Sequence, residues 1–234
     1  MHRNPIFVAL DTPDLTRALT LSRAVMDHVG GLKVGLEFYT ACGPDGVKRI
    51  VELGLPVFVD VKFHDIPNTV AAASRELARL GAKIFNIHTS GGDVMMREAV
   101  AAARAVDPTV KVIGVTVLTS IDDALLIAVG QQGPAADQVV RLASLARQAG
   151  LDGVVCSAHE IAPLRRACGR DFLLAVPGIR PKGADLADQR RVMTPAEAHA
   201  AGADILVIGR PITGAADPAA AARAIAAELS GTMV

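Results

Sequence analysis

Asp60, Lys62 and Asp65 lie within six residues of one another, at the end of the apolar run Leu55-Pro56-Val57-Phe58-Val59-Asp60-Val61-Lys62. Strand side chains alternate between faces, so Phe58, Asp60 and Lys62 share one face while Val57, Val59 and Val61 share the other. One face is wholly apolar, and the other closes on a carboxylate beside an ammonium, with Asp65 just beyond on a loop. A buried salt bridge that merely ends a strand is the plainer reading. Such pairs add little to stability, because desolvation offsets most of their attraction. Three ionisable groups at one strand terminus fit a site of chemistry better, since perturbed acids and bases concentrate where protons move and charge is stabilised.

Eight short runs rich in β-branched residues can carry such groups: residues 6–10, 31–36, 57–61, 84–88, 112–117, 153–156, 172–176 and 205–208. Between them lie Ala-, Leu- and Arg-rich segments with helical spacing, among them 15–29, 69–80, 136–149 and 218–229. Gly30, Gly81, Gly150 and Gly202 punctuate helix ends. Strict β/α alternation predicts a parallel sheet, and eight units predict closure into a (β/α)8 TIM barrel, with an open doubly wound sheet as the alternative. A length of 234 residues suits one such domain over 1–234, with no linker or low-complexity break.

Active sites of this fold sit at the C-terminal ends of the strands. In phase with Asp60 and Lys62, the pattern turns Asp11 of the first strand, Lys33 of the second, and Asn86 and His88 of the fourth inward. Strand five runs into Thr116, Thr119 and Ser120, and strand six reaches Ser157. His88 reads as a hydrogen-bonded structural histidine, and His64 as a residue that orients its loop. After strand seven comes Pro177-Gly178-Ile179-Arg180-Pro181-Lys182-Gly183, and after strand eight Gly209-Arg210-Pro211-Ile212-Thr213. These two loops commonly hold a phosphate in this fold: glycine admits close backbone N–H groups, and arginine offers a planar fork for phosphate oxygens. The polar stretch 180–194 is expected to act as a mobile lid, with Gln189 placed to read a polar ring edge.

Charge and cysteine content narrow the field. Lys plus Arg equals Asp plus Glu at 24 each, and no basic run is interleaved with aromatics, so a nucleic-acid partner is not expected. Three cysteines, at 42, 156 and 168, show no Cys-x-x-Cys spacing and read as reduced core thiols. Without a signal-peptide pattern or an apolar segment of membrane-spanning length, the expectation is a soluble, cytoplasmic protein with no membrane partner. His-Glu-x-x-His and Walker glycine-loop motifs are absent.

The Asp-x-Lys-x-x-Asp-Ile signature at 60–66, continued by Pro67-Asn68-Thr69, resembles the orotidine 5′-phosphate decarboxylase family. Further matches follow in order: Ala9-Leu10-Asp11, Leu32-Lys33-Val34-Gly35, Val115-Thr116-Val117-Leu118-Thr119-Ser120, Pro177-Gly178-Ile179-Arg180 and Ile208-Gly209-Arg210-Pro211-Ile212. The resemblance implies a homodimeric (β/α)8 barrel that converts orotidine 5′-monophosphate to uridine 5′-monophosphate and carbon dioxide in pyrimidine synthesis, with no cofactor and no metal. It implies a charged tetrad of Lys33, Asp60, Lys62 and Asp65, the last supplied to the neighbouring subunit, with Lys62 as proton donor to ring carbon C6. Asp11 and Lys33 would contact the ribose, and Ile66 and Thr69 would reach across the dimer. Thr119 and Gln189 would bind near base and phosphate, and Arg180, Gly209 and Arg210 would hold the phosphate. Two alternatives remain at this point. One is a metal-dependent sugar-phosphate decarboxylase of the same barrel, which has an acidic ligand where this chain has Lys33. The other is a non-catalytic barrel that binds pyrimidine nucleotides.

Overall fold

The computed structural model describes residues 4–181 and 193–231. Eight parallel strands, β1 (Ile6–Ala9), β2 (Gly31–Val34), β3 (Val57–Phe63), β4 (Ile84–His88), β5 (Lys111–Val115), β6 (Gly153–Val155), β7 (Leu173–Pro177) and β8 (Ile205–Ile208), close in sequence order into a barrel, β8 pairing with β1. The expected fold class is therefore the observed one, and the open-sheet alternative is set aside. Around the strands run α1 (Leu15–Val25), α2 (Leu36–Val51), α3 (Pro67–Arg79), α4 (Asp93–Arg104), α5 (Asp123–Ala128), α6 (Ala135–Gln148), α7 (Ile161–Cys168), α8 (Pro195–Ala201), α9 (Arg210–Thr213) and α10 (Pro218–Gly231). Among the described residues no helix is long and apolar enough to cross a membrane.

The strands read as unbroken apolar runs because both of their faces are covered. Residues of one parity, such as Val8, Val34, Val59, Phe85 and Ile87, pack against the helices in a large outer cluster. Residues of the other parity, Phe7, Ala9, Phe58, Ile84, Ile113, Ala175, Ile205 and Val207, form a smaller cluster inside the barrel. The lumen is filled by size matching: a Cβ on Gly31 would come within 2.3 Å of the Phe7 ring, so the small residue on β2 makes room for the large one on β1. Cys156 and Cys168 are buried free thiols, and burial pushes both thiol pKa values up, which suits inert core residues.

Several boundaries differ from the expected ones for local reasons. The first helix stops at Val25 and gives way to a tighter turn at Met26–His28, not continuing to 29. The third begins at Pro67, whose fixed φ suits the first helical turn, not at Thr69. Strand five ends at Val115, before 117, and Thr116 just past it is buried while Thr119 and Ser120 are exposed. Helix α2 fills the interval between β2 and β3 that strict alternation assigns to a helix, and two helical segments meet within it across a kink at Gly43, φ 61°.

Strand β3 runs past 61 to Phe63, and its pairing with β4 is irregular. Val59 pairs with Phe85, whereas the next pair is Phe63 with Ile87. Four residue steps on β3 thus face two on β4, a bulge that arches the top of β3 away from its neighbour. Since the excess is even, Phe63 still packs against the outer cluster.

At the opposite, N-terminal face, carboxylates tie strands together in pairs. Asp152, just before β6, accepts the Val112 N–H of β5 at 2.9 Å and pairs with Arg104 and Lys111, both at 3.0 Å. Asp204, just before β8, accepts the Leu174 N–H of β7 at 2.8 Å and pairs with Arg165.

Candidate active site

At the C-terminal ends of the first three strands four charged side chains form a chain of alternating sign. The Lys33 ammonium of β2 stands 3.1 Å from Asp11 Oδ1, beyond β1, and 3.2 Å from Asp60 Oδ2 on β3. The other Asp60 oxygen, Oδ1, lies 2.5 Å from the Lys62 ammonium. The inward phase expected for Asp11, Lys33, Asp60 and Lys62 thus brings all four together. Gly35 keeps the space open, since a Cβ there would lie 3.0 Å from Lys33 Nζ and 3.2 Å from Asp11 Oδ1.

Charge balance overrides burial within this chain. Burial acts against the Lys33 ammonium, yet Asp60 and then Asp11 outweigh it and hold its pKa above 10.5. Burial likewise acts against the Asp60 carboxylate, but Lys33 and Lys62, with hydrogen bonds from Lys62 and Asn86, keep its pKa below 3.8. Lys33 and Asp60 therefore each favour the other's ionised form.

Lys62 has a second peculiarity: its backbone lies in the left-handed region, φ 52°, the one such non-glycine among the described residues. For an L-residue this conformation costs roughly 1–2 kcal/mol. It falls inside the bulge, and the Lys62 N–H donates to Asn86 Oδ1 at 2.8 Å. Asn86 Nδ2 donates in turn to Asp60 Oδ1 at 2.7 Å. Asn86 has the inward phase expected of it, but the sequence alone assigned it no task.

His88 departs from the expected hydrogen-bonded histidine. Among the described residues its ring makes no hydrogen bond and instead packs on His64, ring centroids 5.4 Å apart. Burial, followed by His64 and Lys62, pushes its pKa below 6.5.

The remaining candidates ring the mouth. Asp65, Ile66 and Thr69 are exposed where β3 passes into α3; Ile66 is 66% exposed, and Asp65 Oδ1 accepts only the Ile66 N–H, at 2.7 Å, among the described residues. Thr119 lines a cavity of about 540 Å³ between the loops after β5 and β6, together with Ser157 and Glu160. Arg180 is buried beyond β7, where Gly178, φ 76°, turns the chain, and its N–H reaches the Met193 carbonyl at 3.1 Å. Gly209 leads from β8 into α9, whose first residue, Arg210, is exposed. Gln189 and most of the expected lid lie outside the described residues. Among those described, no three His, Cys, Asp or Glu side chains cluster as a metal site would require.

Fold and site together define a (β/α)8-barrel protein that holds fixed charges of alternating sign at its C-terminal mouth, flanked by two glycine- and arginine-bearing loops. The chain belongs to the orotidine 5′-phosphate decarboxylase / HUMPS family, whose model matches residues 4–225. It is 53% identical over 233 residues to the orotidine 5′-phosphate decarboxylase of Paramagnetospirillum magneticum, covering 97% of this chain and 98% of that one. With the enzyme of the same name from Moorella thermoacetica it shares 54% identity over 236 residues, 98% and 94% of the two chains. The crystal structure of the Lactobacillus acidophilus orotidine 5′-phosphate decarboxylase matches with a TM-score of 0.86 at 37% identity, covering 97% of this chain and 99% of that one.

Proposed function

We propose that this chain decarboxylates orotidine 5′-monophosphate to uridine 5′-monophosphate and carbon dioxide, the reaction after which its relatives are named. The observation that carries the reading is the unbroken alternation Asp11–Lys33–Asp60–Lys62 at the barrel mouth. When the bond from C6 to the carboxylate breaks, the electron pair stays on C6 as a vinylic carbanion with no adjacent sink. Fixed positive charge must stabilise it. The Lys62 ammonium fills that role and then gives its proton to C6. Asp60 faces the departing carboxylate, and its repulsion there ranks below stabilisation by Lys62. The alternation sets both lysines beside carboxylates, and for Lys33 this favours the charged form despite burial.

Asp11 and Lys33 serve the ribose, Thr119 and Gln189 the base and its phosphate side, and Arg180, Gly209 and Arg210 the phosphate. Binding energy at the phosphate, remote from C6, organises the reacting end. Asp65, Ile66 and Thr69 reach into the site of a second copy, so the working form is a homodimer with shared active sites. One domain over 1–234, no cofactor and a cytoplasmic location complete the reading.

The metal-dependent sugar-phosphate alternative is disfavoured by Lys33, whose ammonium stands between Asp11 and Asp60 where that chemistry uses an acidic ligand. The test is ultraviolet absorbance of orotidine 5′-monophosphate with purified protein. Turnover without added magnesium is expected, and Lys62→Ala should cost at least about 10²–10⁴-fold in kcat while product still binds. Wild-type protein that binds uridine 5′-monophosphate but leaves the substrate unchanged would refute the enzyme reading and leave a nucleotide-binding barrel.

A further inference from the structure

The bulge between Val59 and Phe63 interrupts the β3–β4 pairing around Lys62, and the Lys62 N–H is met by a side chain. Asn86 is the one β4 residue between the paired positions Phe85 and Ile87, and its side chain is fully buried. A carboxamide carries the same donor and acceptor as a peptide group, in one plane. Here its oxygen accepts the Lys62 N–H at 2.8 Å, and its nitrogen donates to Asp60 Oδ1 at 2.7 Å. That same carboxylate oxygen receives the Lys62 ammonium. One rigid planar group therefore grips Lys62 at its backbone and Asp60 at its carboxylate, fixing the two relative to each other. Aspartate could accept from Lys62 but not donate to Asp60, leucine could do neither, and serine is too short to span both.

We infer that Asn86 is a positioning residue of the reaction: its carboxamide caps the Lys62 N–H inside the bulge, holds the left-handed backbone of Lys62, and aims the Asp60–Lys62 pair at the reacting carbon. The inference rests on the function proposed above. Asn86 itself needs no contact with substrate, since its effect passes through the pair it holds. A misplacement of about 1 Å at such a pair can cost about 10²-fold in rate.

The experiment compares wild type, Asn86→Leu, which keeps the branched heavy-atom skeleton, is somewhat larger and loses both bonds, and Asn86→Ser, the smaller change should the leucine variant fail to fold. Steady-state kinetics with orotidine 5′-monophosphate and binding of uridine 5′-monophosphate are measured on folded protein. The expected result is a fall in kcat of about 10²-fold, with KM and product affinity within a few-fold of wild type. A purely structural role would lower thermal stability and the folded fraction, but leave kcat per folded site unchanged. Wild-type kcat in a folded variant, or a raised KM with kcat intact, overturns the inference alone. Absence of turnover in the wild type overturns the function proposal and the inference with it.

Discussion

Asp60 accepts from two ammonium groups and a carboxamide, and its ionised form is accordingly favoured in the folded chain. Burial pulls the other way but is outweighed, so its folded pKa lies below the unfolded value of 3.8. Below 3.8 the unfolded chain takes up this proton before the folded one does. The stabilisation is therefore complete above that pH and is lost as pH falls through the depressed folded value. Asp60→Asn should be less stable than wild type at neutral pH, and the gap between their urea midpoints should narrow as pH drops below 3.8. A gap that stayed constant over that range would show that the carboxylate is not held by its neighbours. Lys33 has the opposite sign: its pKa is raised, so its contribution is present below 10.5 and fades as pH climbs through the folded value. The inward set Asp11, Lys33, Asp60 and Lys62 was legible in the sequence because alternation along three short strands needs only correct parity. Asn86 shared the parity, but its work depends on the bulge at Lys62, which side-chain patterning does not record.

At the level of elements, the eight strands were legible because burial on both faces leaves β-branched runs that nothing else in the chain imitates. The course of helix α2 was less so, since Gly43-Pro44 interrupts the pattern and two helical segments meet there across a kink. The bulge in β3 was hidden for a different reason: two extra residues leave the alternation of apolar and polar positions unchanged. The strand-tying carboxylates of the N-terminal face make a separate prediction. Asp204 and Arg165 are both largely buried, and Arg165 also donates to the carbonyls of Gly202 and Phe172. Asp204→Ala leaves that guanidinium without its counter-charge and the Leu174 N–H without its acceptor, for a loss of about 3–5 kcal/mol. Chemical denaturation should show it, with kcat of the folded protein unchanged because the mouth lies at the other end. By contrast, removing Glu76 from its exposed pair with Arg79 should cost less than about 1 kcal/mol. Equal losses in the two variants would mean that the buried clamp carries no special weight.

Across the whole molecule the two ends of the barrel divide the work, with paired clamps at one face and the charged chain at the other. The exposed group Asp65, Ile66 and Thr69 belongs to neither, and the proposed dimer gives it a function. Mixing Lys62→Ala with Asp65→Ala subunits, each inactive or nearly so alone, should restore activity, since one of the two sites in a mixed dimer then carries both native residues. No recovery after verified subunit exchange would argue that Asp65 serves only its own chain. The β3 bulge has a consequence for the closed circuit as well. Around a barrel each strand must present lumen-facing residues beside lumen-facing residues of the next, and the register must still agree when the circuit returns to its start. Beyond the bulge a single pair, Phe63 with Ile87, closes the circuit on the outer side. Changing this segment by one residue turns Phe63 toward the lumen unless the bulge itself takes up the difference, so the rim and the outer wall are tuned together.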